Sequence, residues 1–213
     1  MIFREPRSIL FALTCIAIMA SSLENAVARG LAAAPPQGID LSGDWQFNAA
    51  LSDDVDSIMA ERRAKLRERF AQERLRHERN TSRDEDDFYN PPPFAPDQDF
   101  AQLFAVPVRM TISQAGNRFL VKNAAANGDV NTEQYEAGGK SVVSFGAGYA
   151  DRITGWLGKA FVVSLRAAGQ NERKEQRYSL DSKGRLVMVT AFSGGGLPKV
   201  EIKSVYEPAS NLP

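Results

Sequence analysis

The sequence contains only one cysteine and one histidine, and these two scarcities exclude several kinds of chemistry. Cys15 lies within the apolar stretch at the start, so the remaining chain offers no disulfide, no thiolate nucleophile and no cysteine metal ligand. His77 lies in a charged stretch, and no G-x-S-x-G or S-x-x-K motif occurs to build a nucleophile and base around it. We therefore expect no cofactor and no metal site.

Net charge and long apolar runs are also lacking. The 26 basic residues balance the 26 acidic ones, so no overall field attracts nucleic acid, and we expect no nucleic-acid partner. The apolar run Ile9–Ala20 is much shorter than the about 20 residues that a membrane-spanning helix needs.

The first 28 residues have the pattern of a secretory signal. Arg4 and Arg7 form a basic start, the apolar run follows, and Ala26-Val27-Ala28 offers a small-x-small cleavage site. We predict a signal peptide over 1–28, cleavage near Ala28, and a periplasmic or secreted mature protein. An uncleaved anchor is the alternative. A linker over 29–38 precedes the folded part.

The later part of the chain has the pattern of short strands joined by glycine turns. Apolar and polar residues alternate between the turns, as in Met110 to Ile112, and a period of two places one set on one side of a sheet. Regular turns at this spacing predict a mainly β fold: an antiparallel up-and-down barrel of about 8–10 strands over residues 39–207, with a tail over 208–213. A β-sandwich is the alternative. The turn glycines are Gly116, Gly128, Gly138, Gly148, Gly158, Gly169, Gly184 and Gly194.

A charged segment over 51–99 interrupts this pattern after the first strand. The sequence predicts an α-helix over about 52–79, with Ser52 as the N-cap and acidic residues in the first turn. Val55, Ile58, Met59, Leu66 and Phe70 share one helical stripe. The acidic run ending at Asp87 and the prolines 91–93 then predict a flexible connector.

This basic helix has two possible roles. In one, its apolar stripe packs on the barrel or covers one mouth of it. In the other, the helix contacts an anionic membrane surface or an acidic partner. The residues predicted to make that contact are Arg62, Arg63, Leu66, Arg69 and Phe70.

The segment Leu41-Ser42-Gly43-Asp44-Trp45, which opens the β pattern, resembles the start of a lipocalin-type (calycin) barrel, where G-x-W begins the first strand. The resemblance covers 39–206 apart from the insertion. It implies that Trp45 packs at the closed end beneath a basic residue of a late strand, for which Lys203 is the candidate. The sequence departs from the family in lacking a T-D-Y-like run and an arginine in the final strand.

Barrels of this kind can hold one small apolar ligand. The side chains predicted to line such a site, or to fill the interior, are Trp45, Phe47, Met110, Phe161, Val163, Met188 and Phe192. We therefore predict an exported, non-catalytic protein that binds a small apolar molecule or an envelope protein. The alternatives are an envelope protein that acts through its basic helix, and an enzyme that uses carboxylates such as Asp129, Glu133 and Asp151. The sequence leaves the oligomeric state open.

Overall fold

The computed structural model describes residues 30–80, 104–145, 148–168, 172–194 and 197–209. The predicted signal peptide, the predicted connector beyond residue 80 and most of the predicted tail lie outside these ranges. The side chain of Leu66 is also outside the description.

Ten antiparallel strands form one sheet that is curled into a half-barrel. The mainly β, up-and-down prediction is confirmed, since every strand pairs with its neighbour in sequence except at one place. The strands are β1 Gly43–Phe47, β2 Arg109–Ala115, β3 Arg118–Ala124, β4 Val130–Glu136, β5 Lys140–Phe145, β6 Gly148–Leu157, β7 Ala160–Ala167, β8 Arg173–Leu180, β9 Leu186–Gly194 and β10 Leu197–Pro208.

The exception lies between β4 and β5, which are the two ends of the sheet order β4-β3-β2-β1-β10-β9-β8-β7-β6-β5. Within the described ranges, β4 pairs only with β3 and β5 pairs only with β6, so an unpaired seam separates them. At its turn end the seam is closed by hydrogen bonds: Gly138 N–H donates to Thr154 O (2.7 Å), and the Thr154 hydroxyl donates to Glu136 O (2.6 Å).

The segment that precedes β1 covers the exposed end of β6. Ala32 and Trp156 exchange two backbone hydrogen bonds, of 3.0 and 2.9 Å. The chain passes so close here that a Cβ atom at Gly155 would lie 2.7 Å from Ala32 O, in a backbone conformation (φ +153°) that favours glycine. The start of the described chain is therefore part of the closed end of the half-barrel.

The predicted alternation is confirmed by the strand registers. Trp45 lies opposite Met110, Phe161 opposite Tyr178, and Tyr178 opposite Met188, so these side chains share the inner face. At the closed end an aromatic floor fills the interior. Its central contact is Phe119 of β3 stacked on Phe161 of β7, with ring centroids 3.9 Å apart and planes 19° apart. The floor consists of Phe119, Tyr135, Trp156, Phe161 and Tyr178.

The inserted helix, α1, spans Val55–Asn80, which confirms an inserted helix but corrects its start. Asp54 performs the N-cap role predicted for Ser52, because its carboxylate accepts hydrogen bonds from the N–H (3.1 Å) and hydroxyl (2.7 Å) of Ser57. Ser52 is held elsewhere. Its hydroxyl donates to Asn48 O (2.7 Å) and accepts the N–H of Val205 (2.8 Å), which fastens this segment along β10.

Side chains from the first turns of α1 pack on the sheet. Val55, Ile58 and Met59 join a cluster with Phe192 and Ile202 from the end of β9 and β10. This agrees with the prediction that the stripe packs on the barrel, but only for its first three residues. Among the described residues, no helix combines the length and apolar character needed to cross a bilayer.

Beyond this cluster, every described side chain of α1 from Ala64 to Arg76 is exposed. Contacts along the surface of the helix are present in this part: Glu61 pairs with Lys65 (2.6 Å) and Arg69 with Glu73 (3.2 Å). Both are pairs four residues apart, the spacing that supports a helix.

Candidate functional site

A cavity of about 570 Å³ lies between the start of α1, the segment before β2, and the inner face of β1. We call it the mouth cavity. Its apolar walls are Phe47, Val55, Met59, Phe104 and Val106, together with Ala49 and Ala105. Phe47 is an inward-facing residue of the half-barrel, and its ring makes an edge contact with Tyr206 at 5.6 Å. The cavity thus reaches from the protein surface to the upper part of the interior.

The polar residues of the mouth cavity are largely occupied by structural hydrogen bonds. Asp53 and Lys203 exchange two: Asp53 N–H donates to Lys203 O (2.9 Å), and Lys203 N–H donates to Asp53 Oδ2 (2.7 Å). The donors of Ser57 lower the pKa of Asp54, which stays ionised at the helix N-terminus, where negative charge is favourable. Asp56 and Arg63 complete the polar part of the lining, with Ser52.

The predicted lining residues occupy three different surroundings. Phe47 lines the mouth cavity. Phe192 packs beneath α1, with its ring 6.3 Å from that of Phe104. The others are buried in the main core cluster, where neighbouring side chains cover them: Trp45, Met110, Phe161, Val163 and Met188. That these residues contact a ligand stays a prediction.

The contact expected between Lys203 and Trp45 is absent. Lys203 is exposed on the outer face of β10, whereas Trp45 is buried on the inner face of β1. The reason is the strand register, which places Ile202 and Ser204 inward and Lys203 outward. Trp45 instead donates its indole N–H to Leu41 O (3.1 Å) and lies opposite Pro208.

A layer of polar side chains lies above the aromatic floor and was missed by the sequence analysis. We call it the inner polar layer: Asn123, Glu133, Arg152, Lys174 and Gln176. All five are half-buried and occupy inward register positions. In β8 and β4 polar residues occupy both faces, so hydrophobic alternation gives no signal there. A different signal was available in the sequence. Every second residue before an inward tyrosine shares its face of the sheet, which places Gln176 and Lys174 on the side of Tyr178, and Glu133 on the side of Tyr135.

Burial controls the ionisation of this region. It raises the pKa of Tyr135 and Tyr178 above the usual range, and nearby groups add to the effect, including Tyr178 and Glu133 for Tyr135. Burial also lowers the pKa of Lys174, an effect that the negative charge of Glu133 partly offsets. The Arg152 guanidinium lies 5.4 Å from the centroid of the Tyr135 ring. Both tyrosines therefore stay neutral, and Tyr135 does so with the Arg152 cation beside its ring.

The residues predicted for the helix contact are spread over different surroundings. Arg62 is buried and Arg63 lines the mouth cavity, so neither belongs to the exposed turns of α1. Arg69 pairs with Glu73, and Phe70 is 46% exposed.

The carboxylates considered for catalysis are not brought together. Glu133 points inward, Asp151 points outward from β6, and Asp129 lies in the turn before β4. Within the described part of the chain, no group of three His, Cys, Asp or Glu side chains is placed to hold a metal ion.

No family model and no curated protein matches this sequence. Several solved structures resemble it in fold. A REP1-NXSQ fatty acid transporter matches 82% of this chain and 98% of its own, with a TM-score of 0.48 and 11% identity. A secretary abundant heat soluble protein from Ramazzottius varieornatus matches 81% and 98%, with a TM-score of 0.48 and 8% identity. A zebrafish ileal bile acid-binding protein matches 53% and 88%, with a TM-score of 0.38 and 18% identity.

The raised pKa of Tyr135 predicts a loss of stability at high pH. Above the ordinary tyrosine value of 10.0 the unfolded chain releases this proton and the folded chain retains it, so the free energy of unfolding falls as the pH rises. In Tyr135→Phe this contribution is absent, and the fall should be shallower than in the wild type. Urea unfolding at neutral pH and above pH 10.0 measures the difference. An equal fall in both proteins would contradict the burial of this phenol.

Proposed function

We propose that this protein binds a small, largely apolar molecule in the mouth cavity. The observation that carries the proposal is an open cavity of about 570 Å³ whose lining includes five large apolar side chains. Ligand sites typically span roughly 300–1,000 Å³ and have predominantly apolar walls with a few polar groups. Phe47 at the base and Phe104 at the side offer aromatic surface, which binds apolar rings and chains with little loss of side-chain entropy.

We further propose that the role is binding without catalysis. A hydroxyl nucleophile needs an adjacent base to take its proton. The one hydroxyl in the lining, that of Ser52, already donates to the carbonyl of Asn48 and accepts from Val205. The Asp54 carboxylate is occupied by Ser57. These contacts suit a rigid rim around a binding cavity.

Filling the cavity from its edge tests the proposal. Ala105 is exposed and lines the cavity, so Ala105→Trp places an indole in the binding space without disturbing the core. We expect the wild type to enhance the fluorescence of the neutral probe phenylnaphthylamine. We expect Ala105→Trp to weaken probe binding at least about tenfold, equivalent to about 1.4 kcal/mol.

The matched control is Ala126→Trp, which adds the same side chain at an exposed turn position outside the cavity lining. It should bind the probe as the wild type does. The proposal fails if the wild type does not bind the probe, or if both tryptophan variants bind it with wild-type affinity.

We also propose that the protein is exported, on the basis of Arg4, Arg7, the apolar run and the Ala26-Val27-Ala28 site. Expression of the full chain in a bacterium should yield a periplasmic or extracellular product that begins near residue 29. N-terminal sequencing and fractionation measure this. A full-length product that remains in the cytosol would contradict it.

A second candidate function is contact between α1 and an anionic membrane surface. One observation favours it: the side chains described from Ala64 to Arg76 are all exposed, and this segment carries five basic and two acidic residues. Basic residues near an anionic bilayer contribute about 1 kcal/mol each, and an exposed aromatic ring such as that of Phe70 adds apolar contact. An envelope protein with an acidic surface is the other possible partner.

Charge-reversal variants distinguish membrane binding through α1 from non-specific attraction by the net charge of the protein. We expect the wild type to sediment with phosphatidylglycerol vesicles at about 0.05 M salt and to be released at about 0.5 M. Arg67→Glu with Arg76→Glu should abolish this sedimentation. The control, Arg118→Glu with Lys122→Glu, makes the same change in net charge on the outer face of β3 and should retain it. Equal loss in both double variants would contradict a role for α1.

A further inference from the structure

The inner face of the half-barrel carries an excess of positive charge. Among the described strand residues, three charged side chains occupy inward register positions: Glu133 on β4, Arg152 on β6 and Lys174 on β8. The other charged strand residues, such as Lys122 and Asp151, occupy outward positions. Two half-buried cations therefore share the inner face with one half-buried anion. Such an excess is costly unless another anion is available.

Lys174 is the cation with the least support from its neighbours. It lies opposite Leu165 of β7 and Phe192 of β9, two apolar residues on the same face. No described residue forms an ion pair with its ammonium group within 4.0 Å. Glu133 lies near enough to act on the ionisation of Lys174, but desolvation has the larger effect. A half-buried ammonium group beside apolar neighbours gains most from an incoming negative charge.

Glu133 and Arg152, the two other charged residues of the inner face, both contact neighbouring side chains. The Glu133 carboxylate accepts a long hydrogen bond (3.5 Å) from Asn123 Nδ2, and its negative charge helps to raise the pKa of Tyr135. Arg152 donates its Nε–H to the Ser141 hydroxyl (3.0 Å) and lies over the Tyr135 ring. Arg152 therefore reaches from β6 past β5 towards β4, across the seam.

The seam gives a route to this layer. Asn131 on β4 and Ser141 on β5 occupy inward positions beside it and are exposed. The aromatic floor closes the interior on the other side, so a molecule that enters through the seam meets Arg152 first. Lys174 lies in the same row of the sheet, beyond Leu165.

We propose that the inner polar layer binds a small organic anion: an apolar body with a single carboxylate or sulfonate group that pairs with Lys174. The apolar body would lie against Leu165, the half-buried neighbour of Lys174 on β7. One negative charge balances the excess of one positive charge on the inner face. This site is distinct from the mouth cavity, none of whose lining residues belongs to the inner polar layer.

Two dyes with the same ring skeleton test the charge requirement. Anilinonaphthalene sulfonate carries a single negative charge, and phenylnaphthylamine lacks the sulfonate. In Lys174→Met the charge is removed and the chain length is nearly kept. We expect the affinity for the sulfonate dye to fall about tenfold, the range for losing one charged partner, while the affinity for the neutral dye stays unchanged. Lys174→Arg should keep most of the affinity for the sulfonate dye.

The matched control is Lys122→Met, which removes an exposed lysine from the outer face of β3. It should bind the sulfonate dye as the wild type does. Circular dichroism and thermal melting of each variant show whether it is folded. Because a buried lysine is costly, we expect Lys174→Met to be at least as stable as the wild type.

Ala105→Trp separates this site from the mouth cavity. It should leave the Lys174-dependent share of sulfonate binding unchanged, and this expectation holds whether or not the mouth cavity binds the neutral dye. The proposal is overturned if folded Lys174→Met binds the sulfonate dye as tightly as the wild type. It is equally overturned if Lys122→Met loses as much affinity, or if Lys174→Met loses both dyes to the same extent.

Discussion

The stack of Phe119 on Phe161 is the contact on which the shape of this protein depends. Five strands separate β3 from β7 along the sheet, yet the two ring centroids lie 3.9 Å apart. Ladder hydrogen bonds fix which strands are neighbours, but they leave the curvature of the sheet open. Packing across the interior supplies that curvature, because each large buried side chain contributes roughly 1.5–3 kcal/mol. The sheet can therefore remain curled although β4 and β5 are unpaired.

Filling the closed end with aromatic rings decides where the remaining space lies. Above the floor the inner face becomes polar, with half-buried Glu133 on β4 beside the seam and half-buried Arg152 and Lys174 on β6 and β8. At the mouth cavity, the segment from Asn48 to Asp53 is held along β10, and α1 starts directly after it. The mouth cavity results from this attachment. One sheet thus presents an apolar space and a cationic space in different parts of the molecule.

The secondary-structure elements that could be predicted from the sequence are those whose apolar residues recur at a regular spacing. Apolar residues at every second position, such as Met110 and Ile112 or Phe161 and Val163, correctly indicated strands and their inner faces. The start of α1 was misplaced because Ser52 and Asp54 are both good N-caps, and only the contact of Ser52 with Val205 decides between them. The inner polar layer was missed because β8 carries polar residues on both faces. The mouth cavity brings Phe47 and Phe104 into one lining, although they are distant in sequence and no local pattern relates them.

Amide hydrogen exchange of the folded chain tests the central claim, which is a curled sheet held by its aromatic floor and open along one seam. In an antiparallel pair, alternate residues bond to one neighbouring strand, so an edge strand leaves its other amides without partners. We predict that alternate amides of Lys140–Phe145 exchange rapidly, whereas those of the central β9 and β10 are protected. Uniform protection along both β4 and β5 would show a closed barrel and contradict this account.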